Sequence, residues 1–390
     1  MIGKDDALKM LDKVVSLGRG FDICAHLVSE DLSLTRYARN QIHQNLRRKN
    51  HSLTVTTVKG KKVGTATTNL LDEGSLRWVV HRAEESMEFA QEDPELPSLF
   101  KAEPAPSVNT YIPHTAQMTP EDRALGCGVL ISSANEKGIL ASGTYSTSMK
   151  ETAVVNTPGT RAYNMSTEAF FKTVVESGDN TGYADRLVRD VRDIDYKEVA
   201  EEAIDRALCS GDPIAIEPGR YDTIFTEYAV ADLIRFLGYV AFSAAAKQRG
   251  TSFMATKMGQ KVMGDNVTIW DDGIDAKGFA SPFDAEGVPR KKVVFIDKGI
   301  ASGVAYDTRT AAKDGVTSTG HATSVMGRSQ PMPHNMFMAT GDSSIQDMIR
   351  STENGILVTR FHYTHCPEPM RVVATGTTRD GTFLIRNGEI

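Results

Sequence analysis

The stretch "SLTVTTVKGKKVGTATTN", residues 52–69, decides how the N-terminal region is read. β-Branched residues recur through it, and "KGKK" at 59–62 folds it back as a hairpin would. Upstream, "DICAHLVSED" (22–31) is a further β pattern. Before that, "DALKMLDKVVSL" sets Ala7, Leu8, Leu11, Val14 and Val15 at helical spacing, and "LGRG" stops the helix. Downstream, "DEGSLRWVVHRAEESMEFAQE" (72–92) starts acidic, carries Leu76, Val79, Val80 and Ala83 on one stripe, and ends before Pro94. The predicted unit is α-β-β-α over residues 1–93.

Prolines at 94, 97, 104, 106, 113 and 120 remove amide donors, so residues 94–120 read as a linker or surface loop and as the domain boundary. Residues 121–390 then form a β-rich domain. Within it Thr119 and Pro120 suit the start of a helix, Ile139 to about Glu176 is β-rich, and "YKEVAEEAIDRALCSG" (196–211) is amphipathic. The longest apolar stretch, residues 226–250, places Val230, Leu233, Ile234, Leu237, Val240 and Ala241 on a wide stripe and predicts a buried helix. Strands and glycine turns follow, and no internal repeat is visible. The fold class is α+β with two domains, an N-terminal α/β unit and a C-terminal β-rich domain around a buried central helix.

With 390 residues, 40% hydrophobic and 24% charged, the chain falls in the ordinary soluble range, and no apolar run approaches the ~18 residues of a membrane span. Its N-terminus has neither an h-region nor a transit pattern and reads as a mature first helix. Cys24, Cys127, Cys209 and Cys366 are widely spaced with no CxxC, which suits free thiols in the cytoplasm. A net charge of −6 argues against nucleic acid as a partner, and "NLRRKN" (45–50) reads as a solvated turn.

The chemistry is not announced by familiar devices. There is no Gly-x-Ser-x-Gly elbow, no phosphate-binding GxxxxGK[ST] loop, no GxGxxG and no HExxH. Asp271, Asp272, Asp284 and Glu286 form an acidic group whose spacing fits no calcium loop and whose Asp-Gly and Glu-Gly pairs read as turns. "FHYTHC" (361–366) sets His362, His365 and Cys366, all zinc-ligand types, within five positions. On a strand the two histidines point to opposite faces, and a bend at Pro367 would be needed to gather the three.

Several ordered blocks carry a resemblance: "TRYARNQIHQN", "VGTATTNLLD", "GQKVMGDNVTIWDDG", "FDAEGVPRKKVVFIDKG", "DTRTAAKDGVTSTGHA", "NGILVTRFHY" and "TGTTRDGTFLIRNGEI". In this order the chain resembles the TldD/PmbA family, and within it the PmbA branch, also called TldE. The resemblance implies a cytoplasmic metallopeptidase of two kinds of chain that cuts unstructured peptides and matures modified ones. TldD-like chains carry an HExxxH zinc helix, and TldE-like chains have lost it. Aligned on that helix, Glu227 and Tyr228 stand where the partner has His and Glu, and Asp232 where it has the second His. The expectation is therefore no catalytic residue and no metal in this chain, zinc in a TldD-like paralogue, and a heterodimer acting on peptides. Two alternatives are a self-associated peptide-binding or scaffold protein, and an independent peptidase using His362, His365 and Cys366. Family members generally continue beyond "LIRNGEI", so a shorter C-terminal sheet is expected. An older family name, modulator of DNA gyrase, carries no expectation of DNA binding here.

Overall fold

In the computed structural model, which describes every residue except Ala102, Asp212 and Arg328, the chain opens with α1 (Lys4–Ser16), β1 (Asp22–Ala38), β2 (Gln41–Lys59), β3 (Lys62–Thr68) and α2 (Glu73–Glu88). β2 and β3 meet at Gly60–Lys61, where Gly60 takes φ 58°, so the fold-back at "KGKK" is a tight hairpin. After a one-turn helix α3 (Pro113–Ala116), the same succession returns as α4 (Pro120–Glu136), β4 (Leu140–Asn156), β5 (Arg161–Ser177), β6 (Asn180–Val188) and α5 (Tyr196–Cys209). All six strands form one antiparallel sheet in the order β3-β2-β1-β4-β5-β6.

The N-terminal half of the molecule is thus a helix, three strands and a helix, twice over, joined where β1 pairs with β4 from Cys24↔Asn156 to Tyr37↔Gly143. The repeat was invisible in the sequence because it resides in topology and close contacts. Gly64 of β3 lies so near α2 that a Cβ would sit 2.1 Å from the Ala83 carbonyl, and at Gly182 of β6 it would sit 1.9 Å from the Ala203 carbonyl of α5. The helices share one face of the sheet. Ala7, Leu8, Leu11 and Val14 of α1 join Leu76, Val79, Val80 and Ala83 of α2 over Ile23, Leu27, Leu53 and Val155. Cys127, Leu130 and Ala134 of α4 join Val199, Ala203 and Ala207 of α5 over Tyr37, Tyr145 and Phe171. Each fully buried Leu, Val or Phe there contributes roughly 1.5–3 kcal/mol. The expected Thr119 cap is present as a capping box with Asp122, with Pro120 in the first turn.

Because β1 and β4 are neighbours, residues 94–120 do not separate one sheet from another; they connect the halves of a single sheet. Leu96 and Leu99 are buried, and Thr110 and Ile112 hydrogen-bond to Thr167 of β5. "NLRRKN" is likewise no turn. It lies in β2, where Arg47 pairs with Asp31 and Arg48 with Glu30 on β1.

The C-terminal region comprises β7 (Asp222–Phe225), α6 (Glu227–Val240), α7 (Ala244–Gln248), α8 (Met254–Lys257), β8 (Ile269–Asp271), β9 (Val293–Asp297), β10 (Ile300–Ala301), α9 (Thr308–Asp314), β11 (Met336–Met338), α10 (Ile345–Arg350), β12 (Asn354–Glu368) and β13 (Val373–Arg386). They form a four-stranded sheet, β10-β9-β8-β11, and a three-stranded sheet, β13-β12-β7. Burial of α6 is less than its apolar stripe predicts. Ile234, Leu237 and Val240 pack on the cluster around Phe242 and Phe295, yet only Ala229 and Gly238 are fully buried and Tyr239 is 63% exposed. An apolar stripe measures demand for cover; whether cover arrives depends on neighbours distant in sequence. Among the described residues no helix is long and apolar enough to cross a membrane, and all four cysteines are free.

Candidate functional site

β7 delivers the chain to α6 at Thr226, whose amide donates to the Val358 carbonyl at 3.1 Å and whose hydroxyl donates to the Thr359 carbonyl at 2.6 Å. These bonds to β12 fix where the first turn of α6 points, and that turn holds Glu227 and Tyr228. The Tyr228 hydroxyl donates to Glu202 Oε1 (3.0 Å) and accepts from Arg186 Nη1 (3.1 Å) and the Asp185 amide (3.3 Å). Its ring lies under the Arg206 guanidinium at 5.0 Å and edge-on to Tyr183 at 5.5 Å.

Around the phenol the charges interlock. Glu202 pairs with Arg186 at 2.9 Å and Arg206 at 2.6 Å, and Arg186 also reaches Glu198 at 2.9 Å. Arg360 of β12 stacks 3.9 Å over Tyr183 and lies 2.9 Å from the buried Asp380 of β13. Burial raises the pKa of Tyr228 and of Asp185, each against a hydrogen bond that lowers it. Burial opposes the Arg186 charge, but Glu202 more than restores it. The cluster joins β6 and α5 to α6, β12 and β13. Glu227 is mostly exposed, 4.0 Å from Arg206, and Asp232 is 3.5 Å from its own-helix neighbour Arg235. The three positions aligned with a zinc motif thus face arginines: Tyr228 and Glu227 share Arg206, and Asp232 lies by Arg235. A carboxylate, a phenol and a carboxylate with these partners do not make the imidazole donor set of a zinc peptidase.

"FHYTHC" lies in β12, where Tyr363 takes φ 51° and the register with β13 shifts between His362 and His365. The bend thus comes at Tyr363 instead of Pro367, and it does not gather the ligands. His362 Nε2 lies 3.1 Å from Arg379 Nη1, so the guanidinium takes up that lone pair. His365 is exposed opposite Thr375, and burial raises the half-buried Cys366 thiol above its ordinary pKa. Among the described residues no group of three or more His, Cys, Asp or Glu is placed to hold a metal.

The acidic group works on backbone. Asp284 accepts from the amides of Glu286 (2.9 Å), Val288 (3.0 Å) and Ala322 (2.9 Å), and Glu286 from those of Thr308 and Met326, both at 3.0 Å. Burial and the charge of Asp284 push Glu286 up to about 8. Asp271 accepts from the amides of His334 and Asn335, both at 2.6 Å, and pairs with the buried His321 at 3.1 Å; these bonds outweigh burial and lower its pKa. Asp272 lies apart, 3.9 Å from Lys292. Sequence reasoning missed Tyr183, Asp185, Arg186, Glu202 and Arg206 around Tyr228. The one available signal was Glu202 and Arg206 at helical i,i+4 spacing.

Residues 218–390 match the family model described as the PmbA/TldA metallopeptidase C-terminal domain. The metalloprotease PmbA of Escherichia coli O157:H7 is 26% identical over 219 residues, 55% of this chain and 46% of that protein. A metalloprotease TldD homolog of Buchnera aphidicola subsp. Acyrthosiphon pisum is 32% identical over 147 residues, 37% and 30% of the two. In sequence, the C-terminal part of the chain is similar to TldD/PmbA metallopeptidases. Its matches to these two curated TldD/PmbA relatives span less than half of their length. The TldD/PmbA fold extends further than the sequence match: TldE from Thermococcus kodakarensis superposes with a TM-score of 0.86 over 97% of this chain and 88% of that one, at 19% identity.

Proposed function

We propose that this chain is a TldE-like, zinc-free subunit of a two-chain cytoplasmic metallopeptidase acting on unstructured or modified peptides. A TldD-like paralogue with HExxxH supplies the zinc and the general base. The observation that supports this reading is the Tyr228 phenol, committed to Arg186, Glu202 and the Asp185 amide, on the helix that the family resemblance aligns with the partner's zinc helix. The helix start is a joint here, and a joint of that kind keeps a peptidase framework rigid for a neighbour's chemistry. The half-covered α6 fits a role completed by a second chain. A groove of about 330 Å³ between the open sheet face and the C-terminal region, lined by Glu30, Lys150, Glu168, Arg189, Ser281 and His334, is available as a wall for peptide.

Co-expression with the source organism's TldD-like chains, followed by co-purification, metal analysis and peptide cleavage, tests the reading. The isolated chain is expected to hold no stoichiometric zinc and to cleave nothing, and the pair to cleave unfolded peptide. Changing the partner's HExxxH glutamate should abolish cleavage, whereas Glu227→Ala here should leave it largely intact. Tight zinc in the isolated chain, lost on changing His365 and Cys366, would instead favour an independent peptidase. A stable self-assembly that ignores every TldD-like chain would favour the scaffold.

A further inference from the structure

Between its two pairs of long helices the sheet carries the one-turn α3 and the chain that leads from it into α4. α1 and α2 cover one end and α4 and α5 the other. The strip between them carries, on that same face, Ser29, Asp31 and Thr35 of β1, Asn45 and Arg47 of β2, and Thr147 of β4. A cavity of about 560 Å³ opens over this strip. The Tyr228 joint does not use it.

Lining the cavity is Arg123 of α4, 1% exposed and the largest fully buried side chain among the described residues. Its guanidinium donates only to neutral oxygens: Thr35 Oγ1 and Thr147 Oγ1 at 3.3 Å, the Met118 carbonyl at 3.2 Å and Asn45 Oδ1 at 3.5 Å. Bonds from an ionised donor to a carboxylate are typically about 2.7–2.9 Å, so these donors are underused. The acid in the cavity wall, Asp31, is already taken by Arg47 Nε and Nη2 at 2.7 and 2.6 Å. A buried cation with neutral partners alone is costly, and an arriving anion relieves that cost. Asn45 is exposed and holds Arg123 at the limit of hydrogen bonding, so it can turn aside to admit one.

We propose that this cavity binds a carboxylate borne on a short apolar body. Arg123 holds the carboxylate, and Met118 and Met149 enclose the body. The C-terminus of a peptide and a free aliphatic acid share this chemistry.

Calorimetric titration of the full chain with N-acetyl-leucine, with acetyl-Ala-Ala-Leu, and with the C-terminal amide of each tests the assignment. The acids should bind and the amides bind at least about tenfold more weakly. A tripeptide acid about tenfold tighter than N-acetyl-leucine identifies a peptide terminus, and equal affinity identifies a free acid; either supports the site. Arg123→Met should lose the acid while keeping its thermal midpoint, because removing a buried charge without a counter-ion relieves desolvation. Met149→Trp fills the cavity from its wall and should also lose binding, so it decides the matter if Arg123→Met does not fold. The proposal is overturned if neither acid binds, if acid and amide bind alike, or if binding survives in either folded variant.

Discussion

Tyr228 illustrates how one side chain changes what a helix start can do. Its hydroxyl links α6 to α5 and β6, so Tyr228→Phe strands partly buried donors and acceptors and should cost about 1–2 kcal/mol in urea unfolding. Glu227→Ala should change stability by less than about 0.5 kcal/mol, since its carboxylate is exposed and its one ion pair is long. Glu286 carries a pH signature. In the unfolded chain it titrates near 4.5, and in the fold burial and Asp284 push it up to about 8. Between those values the folded state holds a proton that the unfolded chain has released. The associated stability is complete below the lower value and lost as pH rises through the upper one. The unfolding free energy of the wild type relative to Glu286→Gln should therefore fall by on the order of 2–4 kcal/mol between about pH 5 and about pH 9, read by denaturant titration across that window. A flat difference would show that the carboxyl stays ionised throughout.

Among the elements, the closest packing falls where an edge strand meets its helix. Gly64 against α2 and Gly182 against α5 sit in corresponding places of the two halves, and both face backbone atoms that cannot rotate away. Gly64→Ala and Gly182→Ala should each lower stability by about 2–3 kcal/mol in the same assay. Gly238 in α6 is the contrast. An added Cβ meets the mobile end of Met336, Cε at 2.9 Å and Sδ at 3.1 Å. Alanine also favours helix, so Gly238→Ala should be neutral or stabilising by up to about 1 kcal/mol. A large loss at Gly238 would mean that Met336 cannot yield.

At the scale of the molecule, the sheet that spans residues 22–188 moves the natural break from the proline-rich stretch to a later place. Residues 213–220 are exposed and irregular, between α5 on the first sheet and β7 of the C-terminal region. Limited trypsin digestion should cut first at Arg220, while the anchored Leu96 and Leu99 protect the segment that carries them. Early cleavage near Lys101 with Arg220 intact would reverse that order.

The chain by itself determined its local elements. The spacing of Leu8, Leu11 and Val14, the Thr119–Pro120 start and the turn at Gly60 are short-range properties, set by side-chain periodicity and backbone conformation within a few residues. The ordered blocks that resemble the TldD/PmbA family were equally legible, because each is a contiguous run. Only the tertiary structure decided that β1 pairs with β4 across the prolines, that α6 stays half covered, that Tyr228 meets Arg186 and Glu202, and that Arg123 is buried with hydrogen bonds to neutral oxygens. Each of these joins residues far apart in the chain. Pairing across such distances depends on which surfaces remain unburied once the local elements have formed, and no window of sequence contains that information.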